Sequence, residues 1–380
     1  MIQKVFVLGA SGNVGRELIS QIVEFDGSKQ NTNPTGVIGM ANSKHMVVTE
    51  GPLDPKVLLQ MAGVKEDVKT FLETQGKPYT DMEEILIALK QKGHSWEVII
   101  VDVTAAKWPD ITKFHLDAIG PKYGLSMVTA NKNPVSLWSV QEFKALTGNH
   151  GDYNYNTTVM AGGGAITFVG ECYDNHDSIL SIEWCFSGTL GYIASELEKW
   201  EKKFSLIVKE ALAKGYTEPH PWDDLSGLDV ARKLLILARS AGFKVNIEDI
   251  EIVGFIDKKY GKITDVDTFL KAIEQQDSAF AEDYKKAMEA GYTFKYVATL
   301  KIEDGKPKMK VGLKLVSQKD SLWALKGTAN IAIIETATYD KTRPMIFQWP
   351  GAGLDTTALA IRRAISGMLP AGLPRANGNY

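Results

Sequence analysis

Val5-Phe6-Val7-Leu8-Gly9-Ala10-Ser11-Gly12-Asn13-Val14-Gly15 opens the chain with an apolar run that stops at glycine, and Leu18, Ile19, Ile22 and Val23 follow at helical spacing. The run reads as a buried strand, the glycines as a tight turn and the periodic residues as the apolar face of a helix. That succession starts a doubly wound, Rossmann-type parallel sheet, in which the free N–H groups and positive dipole end of the helix hold a pyrophosphate. Glycine lets backbone approach phosphate closely, and the loop between the glycines supplies N–H groups, so Gly9, Ser11, Gly12, Asn13, Val14 and Gly15 are candidate cofactor-binding residues. The spacing is G-x-x-G-x-x-G, or A-x-G-x-x-G if Ala10 takes the first place. A turn serving only packing has the same letters; its position on the first strand favours the nucleotide.

Outward from this unit, residues 37–40 read as a second short strand and 97–103 as a near-continuous apolar run of the kind found in buried parallel strands. Residues 52–93 between them read as helical insertions, with Met82, Ile85, Leu86 and Leu89 on one face. A further strand at 125–128 runs into Thr129-Ala130-Asn131-Lys132, and a helix is expected over 136–146. Beyond residue 150 the strands lengthen and alternate, at 179–186, 296–302, 308–316 and 330–336, with a turn at Asp304-Gly305. The expected fold is α/β: a nucleotide-binding domain over 1–150, an α+β substrate and dimerisation domain with a mixed sheet over 151–340, and a segment over 341–380 returning to the first domain, loose from 370.

A chain of 380 residues exceeds the size at which single cores stop growing, which agrees with two units. Lys+Arg 43 against Asp+Glu 46 leaves a net charge of −3, so there is no general electrostatic footprint for nucleic acid or an anionic membrane. The opening run is too short for a signal peptide, and no later run reaches the roughly 18 apolar residues of a membrane span. The two cysteines, Cys172 and Cys185, sit in apolar patterns without zinc-site spacing. A reducing cytoplasm is the expected compartment.

Two regions suggest chemistry. After the second strand the chain reads Gly39-Met40-Ala41-Asn42-Ser43-Lys44-His45, where an NAD site usually carries an acid for the ribose 2′-hydroxyl. Without that carboxylate, Asn42, Ser43 and Lys44 favour NADP(H), with NAD(H) also accommodated; a solvated polar loop is the bland reading. Lys132 follows the C-terminal end of a buried strand, where open α/β sheets bind ligands. In the second region, 215–233, Gly215 reads as a left-handed helix cap and Ser226 as the N-cap of the next helix. Asp229 and Lys233 then share a face at i and i+4. Ser226-x-x-Asp229 also fits a capping box, and Asp229–Lys233 an exposed ion pair, so both accounts stay open.

With these residues in view, the sequence resembles homoserine dehydrogenase across nearly its whole length. The resemblance is carried by Thr129-Ala130-Asn131-Lys132, Ser187-Gly188-Thr189-Leu190, Gly215-Tyr216-Thr217-Glu218-Pro219, Asp223-Asp224-Leu225-Ser226-Gly227-Leu228-Asp229-Val230-Ala231-Arg232-Lys233, Leu325-Lys326-Gly327-Thr328, and Gly351-Ala352-Gly353 before Thr357-Ala358. It implies NAD(P)H-dependent, reversible reduction of L-aspartate 4-semialdehyde to L-homoserine, on the way to threonine and methionine. It implies Lys132 and Lys233 as catalytic lysines and Asp229 at the substrate's hydroxyl or carbonyl end. Glu218 and Asp224 would meet the substrate amino group, with Thr189 and Tyr216 in the same pocket. It also implies a monovalent cation, Na or K, on a turn with Asn156, Val159, Ala161 and Gly163. Thr104 and Gly353 complete the expected cofactor set, which Lys132 also joins. His220 and Trp222 stand where Asp and Arg are common, Ala329 replaces a frequent Asp, and the glycine loop is one residue longer.

In such a reaction, ammonium groups stabilise charge growing on the carbonyl oxygen and one delivers the proton. Oxidation of homoserine needs a neutral amine, so that direction should improve with rising pH. A related aspartate-semialdehyde dehydrogenase would need an activated cysteine nucleophile, and a non-catalytic NADP-binding regulator would need none of the lysines. The chain ends at Tyr380 soon after its last helix, and no kinase sequence precedes Met1, so a short monofunctional enzyme without threonine feedback is expected. A homodimer is expected through the second domain, with Trp184, Phe186 and residues 310–316 offering sheet surface.

Overall fold

The computed structural model describes residues 2–26, 34–61, 65–94, 97–107, 110–137, 139–148, 152–199, 201–349, 351 and 353–368. The loose end expected over 370–380 and Ala352 of the Gly351–Gly353 motif lie outside them. Two compact units divide the chain, residues 1–163 with 353–380 and residues 164–352. These divisions fall later than the boundaries at 150 and 341 read from sequence, because short strands on either side extend each sheet.

In the first unit, β1 (Gln3–Leu8) leads into α1 (Asn13–Asp26), β2 (Thr35–Ala41), β3 (His45–Val48), α2 (Pro55–Met61), α3 (Lys65–Gln75), β4 (Lys77–Pro78) and α4 (Glu83–Gln91). Next come β5 (Val98–Asp102), α5 (Asp110–Ile119), β6 (Ser126–Thr129), α6 (Asn133–Ser136), α7 (Val140–Thr147) and β7 (Tyr153–Asn154). The sheet order is β4-β3-β2-β1-β5-β6-β7, with β2, β1, β5, β6 and β7 parallel. Order reverses between β1 and β5, so their carboxyl ends flank the crevice where such sheets take ligands.

The stretch read as wholly helical contains β4, and β3 just before it; both pair antiparallel at the sheet edge. The helix expected over 136–146 is two pieces. Pro134 sits in the first turn of α6, and Ser139 starts α7 with a capping box to Glu142. β7 pairs with β6, and Gly162 packs so closely on Ala360 that a Cβ there would lie 2.7 Å from the alanine methyl, which keeps residues 152–163 in this unit.

The second unit comprises α8 (Ala165–Asp174), β8 (Ile179–Cys185), α9 (Gly188–Leu197), α10 (Phe204–Ala213), α11 (Trp222–Leu225), α12 (Leu228–Ser240) and β9 (Ile250–Ile252). It continues with α13 (Val266–Ala272), α14 (Asp277–Glu289), β10 (Tyr292–Glu303), β11 (Lys306–Ser317), β12 (Asn330–Thr336) and β13 (Met345–Trp349). Its sheet runs β13-β12-β8-β10-β11-β9 and is mixed: β9 is parallel to β11 and the other pairs are antiparallel. The β10–β11 hairpin keeps register from Tyr292 with Ser317 to Glu303 with Lys306. Its turn uses positive φ at both Asp304 (51°) and Gly305 (73°), the conformation a two-residue hairpin favours.

Trp184 is fully buried and packs edge-on against Phe186, itself 3% exposed. Both belong to the core of their own unit, so neither is the partner-facing surface expected from the alternating pattern.

The last helix, α15 (Leu354–Gly367), returns to the first unit. Ile361 and Ile365 enter the cluster that holds Val5, Val7, Leu18 and Ile22, and Gln21 donates to the Asp355 carbonyl at 3.0 Å.

Candidate active site

The glycines of the opening loop serve distinct roles. Gly9 has φ 91°, open to glycine at little cost, and a Cβ there would lie 2.9 Å from Thr104 Cγ2. A Cβ on Gly15 would lie 2.4 Å from the Gly9 oxygen and 2.8 Å from Ala10 Cα, so the first turn of the helix packs on the preceding loop only without a side chain. Gly12 donates its N–H to the Gly9 carbonyl at 3.0 Å, and Gly9 and Ala10 both donate to Ala41 at the end of β2. This is a cradle that a dinucleotide fits: tight turn, close backbone and a helix start with no acid in its first turn. Arg16, not singled out in the sequence, holds the loop by donating to the Ser11 carbonyl at 2.6 Å and Asn13 Oδ1 at 3.0 Å. At the end of β2, Asn42 Oδ1 accepts the N–H groups of Lys44 and His45 at 2.8 Å each. The Asn42 side chain thus shapes the turn, and Ser43 and Lys44 stand exposed beside it.

Lys132 is half-buried at the start of α6. The turn before it is fixed by Asn131, whose amide donates to Thr104 Oγ1 at 3.3 Å and to the Ala106 carbonyl at 3.0 Å. Asn131 Oδ1 accepts the Asn133 N–H at 3.0 Å. Thr104 therefore touches both the glycine loop and the lysine turn. Gly353 starts α15, its carbonyl accepting from Thr357 N–H at 3.1 Å.

In the second unit, α10 ends as expected at Gly215, with φ 69° and Tyr216 N–H reaching back to Ala211 at 2.9 Å. The expected cap at Ser226 is displaced. Ser226 closes α11, and the residue before α12 is Gly227 at φ 76°, where a Cβ would meet Tyr296 Oη at 2.0 Å. Ser226 Oγ accepts the Leu228 N–H at 3.3 Å, but the Ser226–Asp229 capping box does not form, because the left-handed residue between them turns the chain.

Lys233 Nζ lies 2.8 Å from Asp229 and donates to the Phe186 carbonyl at 2.9 Å. The lysine side chain is 15% exposed and the aspartate 38%, so the ammonium is largely withdrawn from water. Asp224 accepts the Glu218 N–H at 2.8 Å, and Thr189 Oγ1 lies 2.9 Å from its other oxygen while also reaching the Tyr216 carbonyl. Burial pushes the Asp224 carboxyl up to about 6, against the lowering by those hydrogen bonds. The structure thus brings Thr189, Asp224 and the backbone of Tyr216 and Glu218 together, and joins Asp229, Lys233 and Phe186. The side chains of Glu218 and Tyr216 are exposed, Tyr216 set edge-on to Tyr192. The Phe186 carbonyl carries no sequence signal, because any residue offers one.

Residues 166–365, more than half of the chain, match the family described as homoserine dehydrogenase. The chain belongs to the homoserine dehydrogenase family. A bifunctional aspartokinase/homoserine dehydrogenase 1 of Zea mays is 31% identical over 91% of the chain, which spans 36% of that relative's length. The homoserine dehydrogenase of Saccharomyces cerevisiae is 29% identical, with 95% of this chain and 96% of that protein covered. Among solved structures, a putative homoserine dehydrogenase from Archaeoglobus fulgidus superposes with a TM-score of 0.71 at 26% identity, covering 96% of this chain and 98% of that one. A hyperthermophilic archaeal homoserine dehydrogenase in complex with NADPH gives 0.68 at 21%, covering 96% and 97%, a likeness of fold.

For this homoserine dehydrogenase-family chain the cysteines argue against acyl-enzyme chemistry. Cys172 and Cys185 are buried, and burial raises both thiols, Cys185 to about 12, which opposes a thiolate nucleophile. In the turn holding Asn156, Val159, Ala161 and Gly163, Met160 (φ 60°) and Ala161 (φ 46°) are left-handed without being glycine, each a strained conformation. Thr157 is buried there with its hydroxyl oxygen unpartnered. Backbone carbonyls and an unpartnered hydroxyl oxygen are the donor type that a hard monovalent cation takes. Among the described residues, no cluster of three or more His, Cys, Asp or Glu is arranged for a metal, and no helix is long and apolar enough to cross a membrane.

Proposed function

We propose that the chain catalyses NADP-dependent, reversible reduction of L-aspartate 4-semialdehyde to L-homoserine. The observation that carries this reading is the withdrawn Lys233 ammonium, held between Asp229 and the Phe186 carbonyl, in the same unit as the buried Asp224 carboxyl and its partners Thr189 and Glu218. The glycine loop, Thr104 and Lys132 would hold NADPH, which supplies the hydride when bound. Asp224, with Glu218 beside it, binds the substrate α-ammonium. Lys233 donates a proton to the oxygen that gains charge as the carbonyl carbon accepts hydride, and in the reverse direction its neutral amine takes that proton. Asp229 stabilises the ammonium and sets its direction, and Lys132 is the second catalytic lysine. The cation, on carbonyls of Asn156, Val159, Ala161 and Gly163, would brace the turn, and the enzyme would act as a cytoplasmic homodimer. A spectrophotometric assay with homoserine and NADP tests the reaction: no NADPH formation by folded protein rejects it. A monomeric mass at micromolar concentration rejects the dimer.

Two further outcomes are expected. Lys44→Ala should weaken NADP while sparing NAD, since Lys44 pairs only with a 2′-phosphate; losing one charge-assisted contact raises the NADP KM by about tenfold. Equal loss with both cofactors, or a wild-type preference for NAD, would contradict it. The Asp224 carboxyl sits near 6, above its unfolded value, so it is protonated as pH falls through that value and no longer binds an ammonium as an anion. Homoserine kcat/KM should therefore fall on the acid side with an apparent pKa near 6, and Asp224→Asn should show a lower, flatter profile. The sign of linkage separates this from unfolding. A carboxyl raised by folding adds stability at low pH and loses it as pH rises through the folded value, so acidification through and below about 6 strengthens the fold at this residue. An unchanged acid limb in Asp224→Asn would remove Asp224 from the binding site.

A further inference from the structure

Three buried polar side chains in the first unit take no part in the chemistry above. Asp102, at the C-terminal end of β5, and His115, inside α5, are both 0% exposed, and Tyr153 on β7 is 7% exposed. His115 Nε2 lies 3.0 Å from Asp102 Oδ2, and Nδ1 lies 2.9 Å from Tyr153 Oη. A carboxylate only accepts, so Nε2 carries a proton toward Asp102, and Nδ1 pairs with the Tyr153 hydroxyl. Burying three such groups is costly unless each is paired, and a purely structural core at this point would be served by apolar residues. The other Asp102 oxygen accepts the Thr104 N–H at 2.8 Å. Thr104 in turn lies against Gly9 and accepts the Asn131 amide next to Lys132.

We propose that His115 is a positioning residue for the cofactor loop: seated on Tyr153, it orients Asp102, which fixes the backbone at Thr104 and through it the glycine turn and the Asn131–Lys132 turn. This deepens the reading of the glycine loop as a nicotinamide dinucleotide site and rests on it. The contact chain from Tyr153 to Asn131 is continuous, buried as far as Asp102 and half-buried at Thr104, and it ends on the glycine turn and the Asn131–Lys132 turn.

His115→Phe keeps the ring packing and removes both hydrogen bonds; His115→Gln retains an amide donor toward Asp102. Amide hydrogen exchange over residues 97–107, measured without cofactor, should quicken about tenfold in His115→Phe and return most of the way in His115→Gln. The NADPH KM should rise by about tenfold in His115→Phe, with the homoserine KM within about twofold of wild type. Unchanged exchange over 97–107, or a uniform rise in both KM values with a general fall in Tm, would overturn the proposal. If His115→Phe does not fold, Tyr153→Phe removes only the outer hydrogen bond and should show the same pattern at about threefold; no change in exchange there overturns the proposal equally. Altered exchange in a protein whose wild type binds no NADPH would reject the cofactor reading instead and leave the Thr104 linkage supported.

Discussion

Lys233→Ala should lower kcat by about two to four orders of magnitude in a protein that remains folded, the range of general acid–base catalysis. Were Lys233 and Asp229 only a helix-surface pair, the same change would alter stability by under about 0.5 kcal/mol and leave turnover nearly intact. The geometry departs from a surface pair in two respects: the lysine is 15% exposed, and its ammonium is shared with the Phe186 carbonyl at 2.9 Å. Removing it leaves a carbonyl without that donor, at a cost of about 1 kcal/mol, so a small Tm shift accompanies the kinetic loss without explaining it. Lys233→Arg separates charge from proton transfer. Guanidinium keeps the charge but gives up its proton poorly, so it should recover little of the lost kcat. Asp229→Ala is easier to interpret than its sequence suggests, because Gly227 precedes the helix and no capping box has to be subtracted: Asp229 pairs with Lys233 at 2.8 Å and adds a first-turn charge of about 0.3–1 kcal/mol. Near-normal turnover in well-folded Lys233→Ala would remove the lysine from the chemistry.

Features with a local physical cause were readable in the letters. The opening strand, glycine turn and helix follow from an apolar run meeting Gly9, Gly12 and Gly15, and the β10–β11 hairpin from Asp304-Gly305, where positive φ is tolerated. Gly215 was recognisable for the same reason. Features set by a partner distant in sequence were not. β4 is two residues long and exists because β3 lies beside it, so no alternation marks it. Trp184 alternates like a surface strand residue, yet both faces at that point are covered, and period two cannot say which side is buried. Ser226 and Gly227 both suit a cap in sequence; the close approach of Tyr296 decides for glycine, and that contact joins residues 227 and 296. For the site, the residue types were legible but not their environment. Asp224 becomes a weak acid only because folding buries it, and the Phe186 carbonyl is any residue's carbonyl until Lys233 reaches it.

Gly15→Ala should raise the NADPH KM by about 10- to 100-fold while the homoserine KM moves far less. The new Cβ would lie 2.4 Å from the Gly9 oxygen, 2.8 Å from Ala10 Cα and 2.9 Å from the Ala10 oxygen. All three are backbone atoms, so no side chain can swing away, and α1 must retreat from the Gly9–Ala10 turn. Reaching the 3.0 Å that real Cβ contacts respect requires about 0.6 Å at the tightest contact (3.0 minus 2.4). Overpacking of this kind costs about 1–3 kcal/mol, and the retreat moves the first-turn N–H groups away from where pyrophosphate must sit. If most of that strain falls on the bound geometry, each 1.4 kcal/mol appears as about a tenfold loss of affinity. Gly170→Ala supplies the control, because Gly170 lies inside α8 with nothing within 4 Å of its Cβ position. There alanine should stabilise the protein by about 0.5–1 kcal/mol and leave both KM values alone. A Gly15→Ala protein with lowered Tm but wild-type NADPH affinity would mean that the glycine serves helix–strand packing alone, and the cradle assigned to residues 9–15 would be rejected. Because the residues proposed to bind substrate lie in the other unit, the cofactor-specific split distinguishes a displaced phosphate site from general loosening, which would raise both constants together.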